Sequence, residues 1–125
     1  MVWQHIGWDN VGQMTPDLLR RLVRTHPNLY LALRVEDRLR VVGGDDIMPN
    51  RIVDAAGRAK PEWLSLFKDF PDRFIIGSDE FVGPAGTRSS FPASLVKTWA
   101  MVKSLPPDLA EKIGRSNAAR VYRLD

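Results

Sequence analysis

The fold class of this chain follows from the stretch HPNLYLAL, residues 26–33. Residues 29–33 are apolar without interruption, which is typical of a strand that is covered on both faces in a parallel sheet. Pro27 ends the segment before it, because the residue that precedes a proline is disfavoured in the α-helical region. The stretch therefore predicts a buried strand that directly follows a helix, as in proteins built from βα units.

The residues before this strand predict a helix and a first strand. Thr15, Pro16 and Asp17 are typical of a helix N-terminus: a capping side chain, a proline at the first helical position and an acid in the first turn. Leucines and a valine within residues 18–23 recur at helical spacing and form one apolar stripe. Residues 1–6 are strand-like. The first 33 residues thus predict a strand, a helix and a second strand.

The residues after the second strand continue the alternation. We predict, in chain order, a helix over residues 60–70, a strand over 73–77, a helix over about 92–104 and a last helix from 107 onward. Two long loops, about residues 35–59 and 81–91, lack any period, and in the first we expect one short turn around residues 52–56. This order predicts a single α/β domain over residues 1–125, made of three parallel βα units with right-handed crossovers.

The apolar positions of the last two helices predict which sides face the core. For the helix over 92–104 these are Leu95, Val96, Trp99, Val102 and Leu105, and for the last helix Leu109, Ile113, Ala118, Val121, Tyr122 and Leu124. Three of the four tryptophans are also expected in the core: Trp3, Trp63 and Trp99.

Composition excludes several classes of protein. The 125 residues are 44% hydrophobic and 26% charged, as in ordinary globular domains, and the absence of cysteine excludes disulfide frameworks and thiol nucleophiles. The net charge is +3, but acids are interspersed among the bases, so we expect no nucleic-acid partner. No apolar run approaches the ~20 residues of a membrane span, and no leader is recognisable. We therefore expect a cytoplasmic protein with no membrane partner.

His5 and Asp79 stand where βα proteins keep their chemistry. They follow the first and third predicted strands, and ligands of parallel sheets bind at the carboxyl ends of the strands. An imidazole and a carboxylate on one rim could share a divalent metal or transfer protons. The alternative is structural, with His5 hydrogen-bonded at a strand end and Asp79 capping a turn. In the catalytic interpretation the two side chains lie within roughly 10 Å, the span of two strand spacings.

Other polar and aromatic positions have structural interpretations, and two of them also have functional ones. Trp8 lies in the first βα loop and is either a substrate-binding wall of a pocket or a cover over the sheet end. His26 is typical of a helix C-terminus, where the helix dipole stabilises a protonated imidazole. Asp45 and Asp46 follow two glycines, which is more typical of a turn-rich loop than of a cation site.

Four segments, taken in order, resemble the C-terminal part of the amidohydrolase superfamily, in its amidohydrolase-related (amidohydrolase 2) branch. Residues 2–7 (VWQHIG) are similar to the sixth strand, residues 26–31 (HPNLYL) to the seventh, residues 70–79 (FPDRFIIGSD) to the eighth with its Gly-Ser-Asp ending, and residues 109–113 and 117–122 to the last helix. The resemblance implies a partial barrel whose three βα units are equivalent to the sixth to eighth strands of a (β/α)8 barrel.

The resemblance also implies a chemistry. Asp79 matches the eighth-strand aspartate that binds the metal or shuttles a proton to the attacking water, and His5 matches the sixth-strand histidine that polarises the substrate or acts as acid or base beside the metal. The implied function is metal-dependent hydrolysis of a small carboxylate-bearing or cyclic substrate, with zinc, manganese or iron in the complete barrel. Non-oxidative decarboxylation, found in the same superfamily, is an alternative.

The chain departs from the family in its ligand set. The family takes metal ligands from the first and fifth strands, which have no counterpart here, and the chain has two histidines in all. A catalytic zinc usually has three protein ligands, so the isolated chain need not bind a metal. A non-catalytic barrel fragment or interaction domain is therefore a further alternative. Open strand edges would favour self-association or pairing with the missing half of the barrel.

Overall fold

The computed structural model describes residues 1–9, 12–36, 50–77 and 94–124. Its elements are β1 (Val2–Ile6), α1 (Pro16–Thr25), β2 (Tyr30–Leu33), α2 (Pro61–Asp69), β3 (Phe74–Ile76), α3 (Ser94–Lys103), α4 (Pro107–Glu111), a π-helical turn (Lys112–Ser116) and α5 (Asn117–Tyr122). The predicted alternation of strands and helices is confirmed. The predicted loop over about 81–91 and most of the loop over 35–59 lie outside the described residues.

The three strands form one parallel sheet in the order β1-β2-β3. Leu31 of β2 is paired with Phe74 of β3, and Leu33 with Ile76. The predicted parallel sheet is therefore confirmed, and the described part is an open sheet that is compatible with part of a barrel. The equivalence of its strands to the sixth, seventh and eighth of a barrel stays a prediction.

Helix α1 begins and ends where its sequence predicts. The Thr15 side chain accepts a hydrogen bond from the N–H of Leu18 at 3.1 Å, and Pro16 occupies the first turn, where a missing N–H costs nothing. The helix ends at His26, whose extended backbone is the conformation favoured before a proline. These local signals orient α1 so that Leu19 and Val23 are buried.

The core is one cluster of buried side chains from the sheet, from helices α1 to α4 and from the π-helical turn. Leu31 and Leu33 of β2 and Phe74 of β3 contribute from the sheet. Phe67 of α2 packs edge-on against Phe74, with ring centroids 4.8 Å apart. Trp63 is fully buried in the same core, as predicted.

The opposite face of the sheet is not open at its centre. Ala32 and Ile75 are register partners and alternate with the strand residues of the core, yet each is only 1% exposed. Beside them a Cβ on Gly77 would lie 3.3 Å from the Ala32 Cβ. This face of the sheet is therefore covered at these two positions.

Residues 50–59 are more structured than the predicted loop. Ile52 and Val53 are buried, and Val53 forms an isolated antiparallel bridge with Ala59. The carboxylate of Asp54 accepts hydrogen bonds from the N–H groups of Ala56 and Arg58, at 2.9 and 3.0 Å. The Arg58 bond, as the largest cause, lowers the pKa of Asp54. The predicted short turn is present, but it is attached to the core by two apolar side chains that the sequence analysis assigned to a loop.

The predicted inner face of α3 is wrong in part. Leu95, Val96 and Trp99 are 41%, 67% and 43% exposed. The buried stripe runs instead through Thr98, Met101, Val102 and Leu105, which follow helical spacing along another side of the helix. Helix α3 is apolar on two sides, and periodicity alone does not distinguish which side packs.

Three further apolar residues were expected inside and lie outside. Trp3 at the edge strand is 36% exposed, and Tyr122 and Leu124 are half-exposed or more at the end of the chain. Strand β1 has no neighbour on its outer side among the described residues, and Tyr122 and Leu124 lie at and beyond the end of α5. Within the described ranges, no helix has both the length and the apolar character that a membrane crossing requires.

Candidate active site

The first part of the candidate site is the irregular carboxyl end of β1. Trp3 is paired with Leu31 and Ile6 with Leu33, so β1 has two residues between these pairs where β2 has one. The extra length is absorbed at His5, whose φ of 64° lies in the left-handed region. The His5 side chain is exposed at this point. An extra residue of this kind re-aims a side chain at the end of a strand.

The turn after β1 is packed too tightly for any residue but glycine at position 7. Gly7 has a φ of 103°, and a Cβ there would lie 2.4 Å from the Ile52 Cδ1 and 2.7 Å from the Arg34 carbonyl oxygen. The N–H of Trp8 then donates to the His5 carbonyl at 3.0 Å and closes the turn. His5 is therefore carried by a short, closely packed turn.

The position of Trp8 agrees with both of its interpretations, as a cover over the sheet end and as a wall beside the site. It is half-buried, and the Cζ of Arg34 lies 3.5 Å from the centroid of its ring, a cation–π contact. The imidazole of His5 lies 6.0 Å from the same ring, tilted by 45°. Trp8 covers part of the sheet end and also borders the surface next to His5.

Asp9 is a buried polar residue of the β1–α1 loop that the sequence analysis did not indicate. It is 3% exposed, and its carboxylate accepts hydrogen bonds from the N–H groups of Gly12, Gln13 and Met14 at 2.8, 3.2 and 3.0 Å. The side-chain amide of Asn50 donates to the same carboxylate. The acid thus fixes the path of the β1–α1 loop, and its oxygens are engaged. An aspartate three residues before a glycine was the available signal.

The carboxyl end of β2 carries a second polar group that the sequence analysis did not single out. The N–H of Val35 donates to the Thr98 hydroxyl at 2.9 Å. The buried carboxylate of Glu36 pairs with the Lys97 ammonium at 2.7 Å. These two contacts attach α3 to the end of β2, on the side of the sheet edge where His5 lies.

Asp79, the second predicted catalytic residue and the predicted metal ligand, lies outside the described residues. The last described position before it is Gly77, whose N–H donates to the Leu33 carbonyl at 2.8 Å. Since all three strands are parallel, β3 ends at the same edge of the sheet as His5. The predicted separation between His5 and Asp79 stays a prediction.

The described residues do not by themselves fit a catalytic metal ion. Among them no group of three or more histidine, cysteine, aspartate or glutamate side chains lies close enough to bind one. Two described acids that follow the strand ends have other partners: Asp9 accepts from backbone N–H groups, and Glu36 pairs with Lys97. A catalytic zinc ion needs about three protein ligands, so the described residues alone would leave its ligand set incomplete.

The other end of the sheet has a cleft of a different character. Its lining residues, all polar or charged, are Asp72, Asp108, Glu111, Lys112, Ser116, Asn117 and Arg120. Lys112 pairs with Asp72 at 3.0 Å, and the buried Asn117 donates to the carbonyls of Pro71 and Phe74. His26, the second histidine, ends α1 and also lies at this side of the sheet, before β2 begins. These contacts attach the terminal helices to β3, at the edge opposite to His5.

Comparison with known proteins identifies the family. The family model described as Amidohydrolase matches residues 1–124. No curated protein and no solved structure matches the chain significantly. The match covers the irregular strand end at His5, the parallel sheet and the terminal helices together. With these observations, the chain belongs to the amidohydrolase family.

Proposed function

We propose that this chain contributes to water-mediated hydrolysis of a small carboxylate-bearing or cyclic substrate, with His5 as the group that polarises the substrate or transfers a proton. One observation carries the proposal: the exposed His5 side chain stands on a left-handed residue at the carboxyl end of a parallel strand, in a chain of the amidohydrolase family. Strained backbone conformations of non-glycine residues persist where the surrounding structure holds them, and they cluster at active sites.

The chemistry assigned to His5 follows from its exposure and its fixed position. An imidazole can both accept and donate a proton near neutral pH, which suits it to general acid–base catalysis. The tight turn at Gly7 and the bond from the Trp8 N–H hold the backbone of His5 in place. Trp8 supports the proposal as an apolar side wall for the substrate, since its half-buried ring borders the surface beside the imidazole.

Asp79 and a metal ion complete the proposal at the level of the family. The resemblance of the segment that ends in Gly-Ser-Asp assigns Asp79 to metal binding and to proton transfer. A bound divalent ion supplies an activated water and polarises the scissile group. Zinc is the first choice, with manganese and iron as the others. No step is assigned to the ion here, because the described residues do not provide its ligands.

The experiment compares the two histidines of the chain. The purified chain, supplemented with zinc, manganese or iron, is assayed on a panel of lactones, cyclic amides and carboxylate-bearing amides. His5→Gln is expected to lower kcat/KM by roughly 10²- to 10⁴-fold, the usual contribution of a general acid or base. His26→Gln is the matched control, because His26 ends α1 at the other side of the sheet, and it is expected to leave kcat/KM unchanged.

Two other outcomes have defined meanings. Release of carbon dioxide from a carboxylate substrate, without hydrolysis, would replace the proposal by decarboxylation. No turnover, together with no stoichiometric metal after supplementation, would contradict catalysis by the isolated chain. It would favour a non-catalytic interaction domain, for which the exposed apolar side of α3 at Leu95, Val96 and Trp99 is the structural argument.

A further inference from the structure

Arg34, the first residue after β2, touches three successive residues at the end of β1. Its N–H donates to the Ile6 carbonyl at 2.8 Å. Its own carbonyl oxygen occupies the space beside Gly7, 2.7 Å from where a Cβ would stand. Its guanidinium carbon lies 3.5 Å from the centroid of the Trp8 ring. One buried residue that directly follows the central strand therefore contacts the whole turn after His5.

Trp8, which contacts Arg34, also contacts His5 in two ways. Its N–H donates to the His5 carbonyl at 3.0 Å, and its ring lies 6.0 Å from the imidazole. A change in the position of the indole ring therefore changes the immediate surroundings of the His5 imidazole. The path from Arg34 to His5 is made of direct contacts only.

The contact between Arg34 and Trp8 depends on the shape of the guanidinium. Arg34 is 1% exposed, so its guanidinium is shielded from solvent. Cation–π attraction is stronger when the cation is shielded in this way. A planar guanidinium lies flat on an aromatic ring, whereas the ammonium of a lysine is a compact, strongly hydrated charge that does not stack in this way. Replacing arginine by lysine therefore keeps the charge and removes the stacking.

We propose that Arg34 and Trp8 are positioning residues that together hold the imidazole of His5 in its orientation at the strand end. The inference rests on the proposed function in one respect: the orientation of the imidazole matters because His5 is proposed to transfer a proton. It does not rest on turnover for its test, because the position of an imidazole can be measured by NMR in the full 125-residue chain.

The test measures the two histidine side chains in Arg34→Lys and in the unchanged chain. His26 is the internal reference, and His26→Gln assigns the two sets of imidazole resonances. In the unchanged chain, NOEs between the His5 and Trp8 rings and a ring-current shift on the His5 protons are expected. Arg34→Lys is expected to weaken these NOEs and to move the His5 resonances towards their positions in an unstructured peptide, while the His26 resonances stay in place.

A matched control uses the other end of β2. There the Arg73 guanidinium lies 5.5 Å from the centroid of the Tyr30 ring, a contact of the same kind at the opposite edge of the sheet. Tyr30→Leu is expected to leave the His5 resonances unchanged. A folded Arg34→Lys variant with unchanged NOEs and shifts at His5 would overturn the inference, and so would an equal displacement of His5 in Tyr30→Leu.

A second pair of variants applies should Arg34→Lys fail to fold. Trp8→Phe keeps an aromatic ring for the guanidinium and is expected to retain an ordered His5 imidazole in ¹⁵N relaxation, whereas Trp8→Leu is expected to lose that order. Equal order in the two variants would overturn the inference. If Arg34→Lys displaces His5 but the unchanged chain has no hydrolytic activity, the proposed function alone is contradicted. If the unchanged chain is active but Arg34→Lys leaves His5 in place, the positioning alone is contradicted.

Discussion

At the scale of the residue, the most informative feature is the backbone of His5. Its φ of 64° places an L-residue in the left-handed region, which costs roughly 1–2 kcal/mol relative to glycine. Glycine would fit this strand end better than any other residue, as it does two positions later at Gly7. A histidine at such a position is explained by its side chain rather than by its backbone.

This cost can be measured by two substitutions at one position. His5→Ala removes the imidazole and keeps the strained backbone, whereas His5→Gly removes both. The free energy of unfolding, measured by urea denaturation, is expected to be about 1 kcal/mol higher for His5→Gly than for His5→Ala, because glycine is not strained in this conformation. Arg123, with a φ of 54° at the end of α5, is a control away from the site, and Arg123→Gly is expected to show a gain of the same sign over Arg123→Ala. Equal stability of the two His5 variants would contradict the left-handed conformation.

At the scale of the element, a buried side chain is prominent among those that attach the terminal helices to the sheet. Asn117, the first residue of α5, is buried, and its amide donates to the carbonyls of Pro71 at 2.7 Å and Phe74 at 2.8 Å. Both carbonyls belong to the entry into β3, whose far end leads towards Asp79. The stability of the terminal helices and the position of β3 therefore depend on the same residue.

Asn117→Ala is expected to lower the free energy of unfolding by about 2 kcal/mol, because it removes two hydrogen bonds and leaves buried carbonyl oxygens with fewer partners. Asn117→Asp is expected to cost more, since a carboxylate would face the same two carbonyls. The neighbouring Ser116 is exposed, and Ser116→Ala is the control, with a change within about 0.5 kcal/mol. A loss as small as that of Ser116→Ala would show that Asn117 does not join the two elements.

At the scale of the whole molecule, two of the exposed apolar features on the described surface could pair with another chain. One is the outer edge of β1, where Trp3 is partly exposed, and the other is the side of α3 that carries Leu95, Val96 and Trp99. Unpaired strand edges and apolar patches favour association with another chain. We therefore propose that the isolated chain associates, either with itself or with the missing half of a barrel.

Sedimentation over a concentration series checks this proposal. The average mass of the chain is expected to rise with concentration, and Val96→Lys, which places a charge on the exposed side of α3, is expected to reduce the rise. Thr25→Lys adds the same charge at the exposed end of α1 and is the control. A monomer at every concentration would contradict self-association.

The sequence by itself determined local features of the fold and the resemblance to a family. The start of α1 at Thr15 and its end before Pro27, the buried strand over residues 29–33, and the amidohydrolase resemblance were all readable without a structure. Each depends on residues that are close in sequence, through capping, backbone sterics and periodicity.

Only the tertiary structure decided how distant residues meet. The left-handed backbone of His5 follows from the register between β1 and β2, and the contact of Arg34 with Trp8 joins two strand ends. The bond from Val35 to Thr98 spans 63 positions, and it explains why Thr98 rather than Trp99 faces inward. A helix that is apolar on two sides packs with the side whose polar atoms find partners, and those partners belong to other elements of the fold.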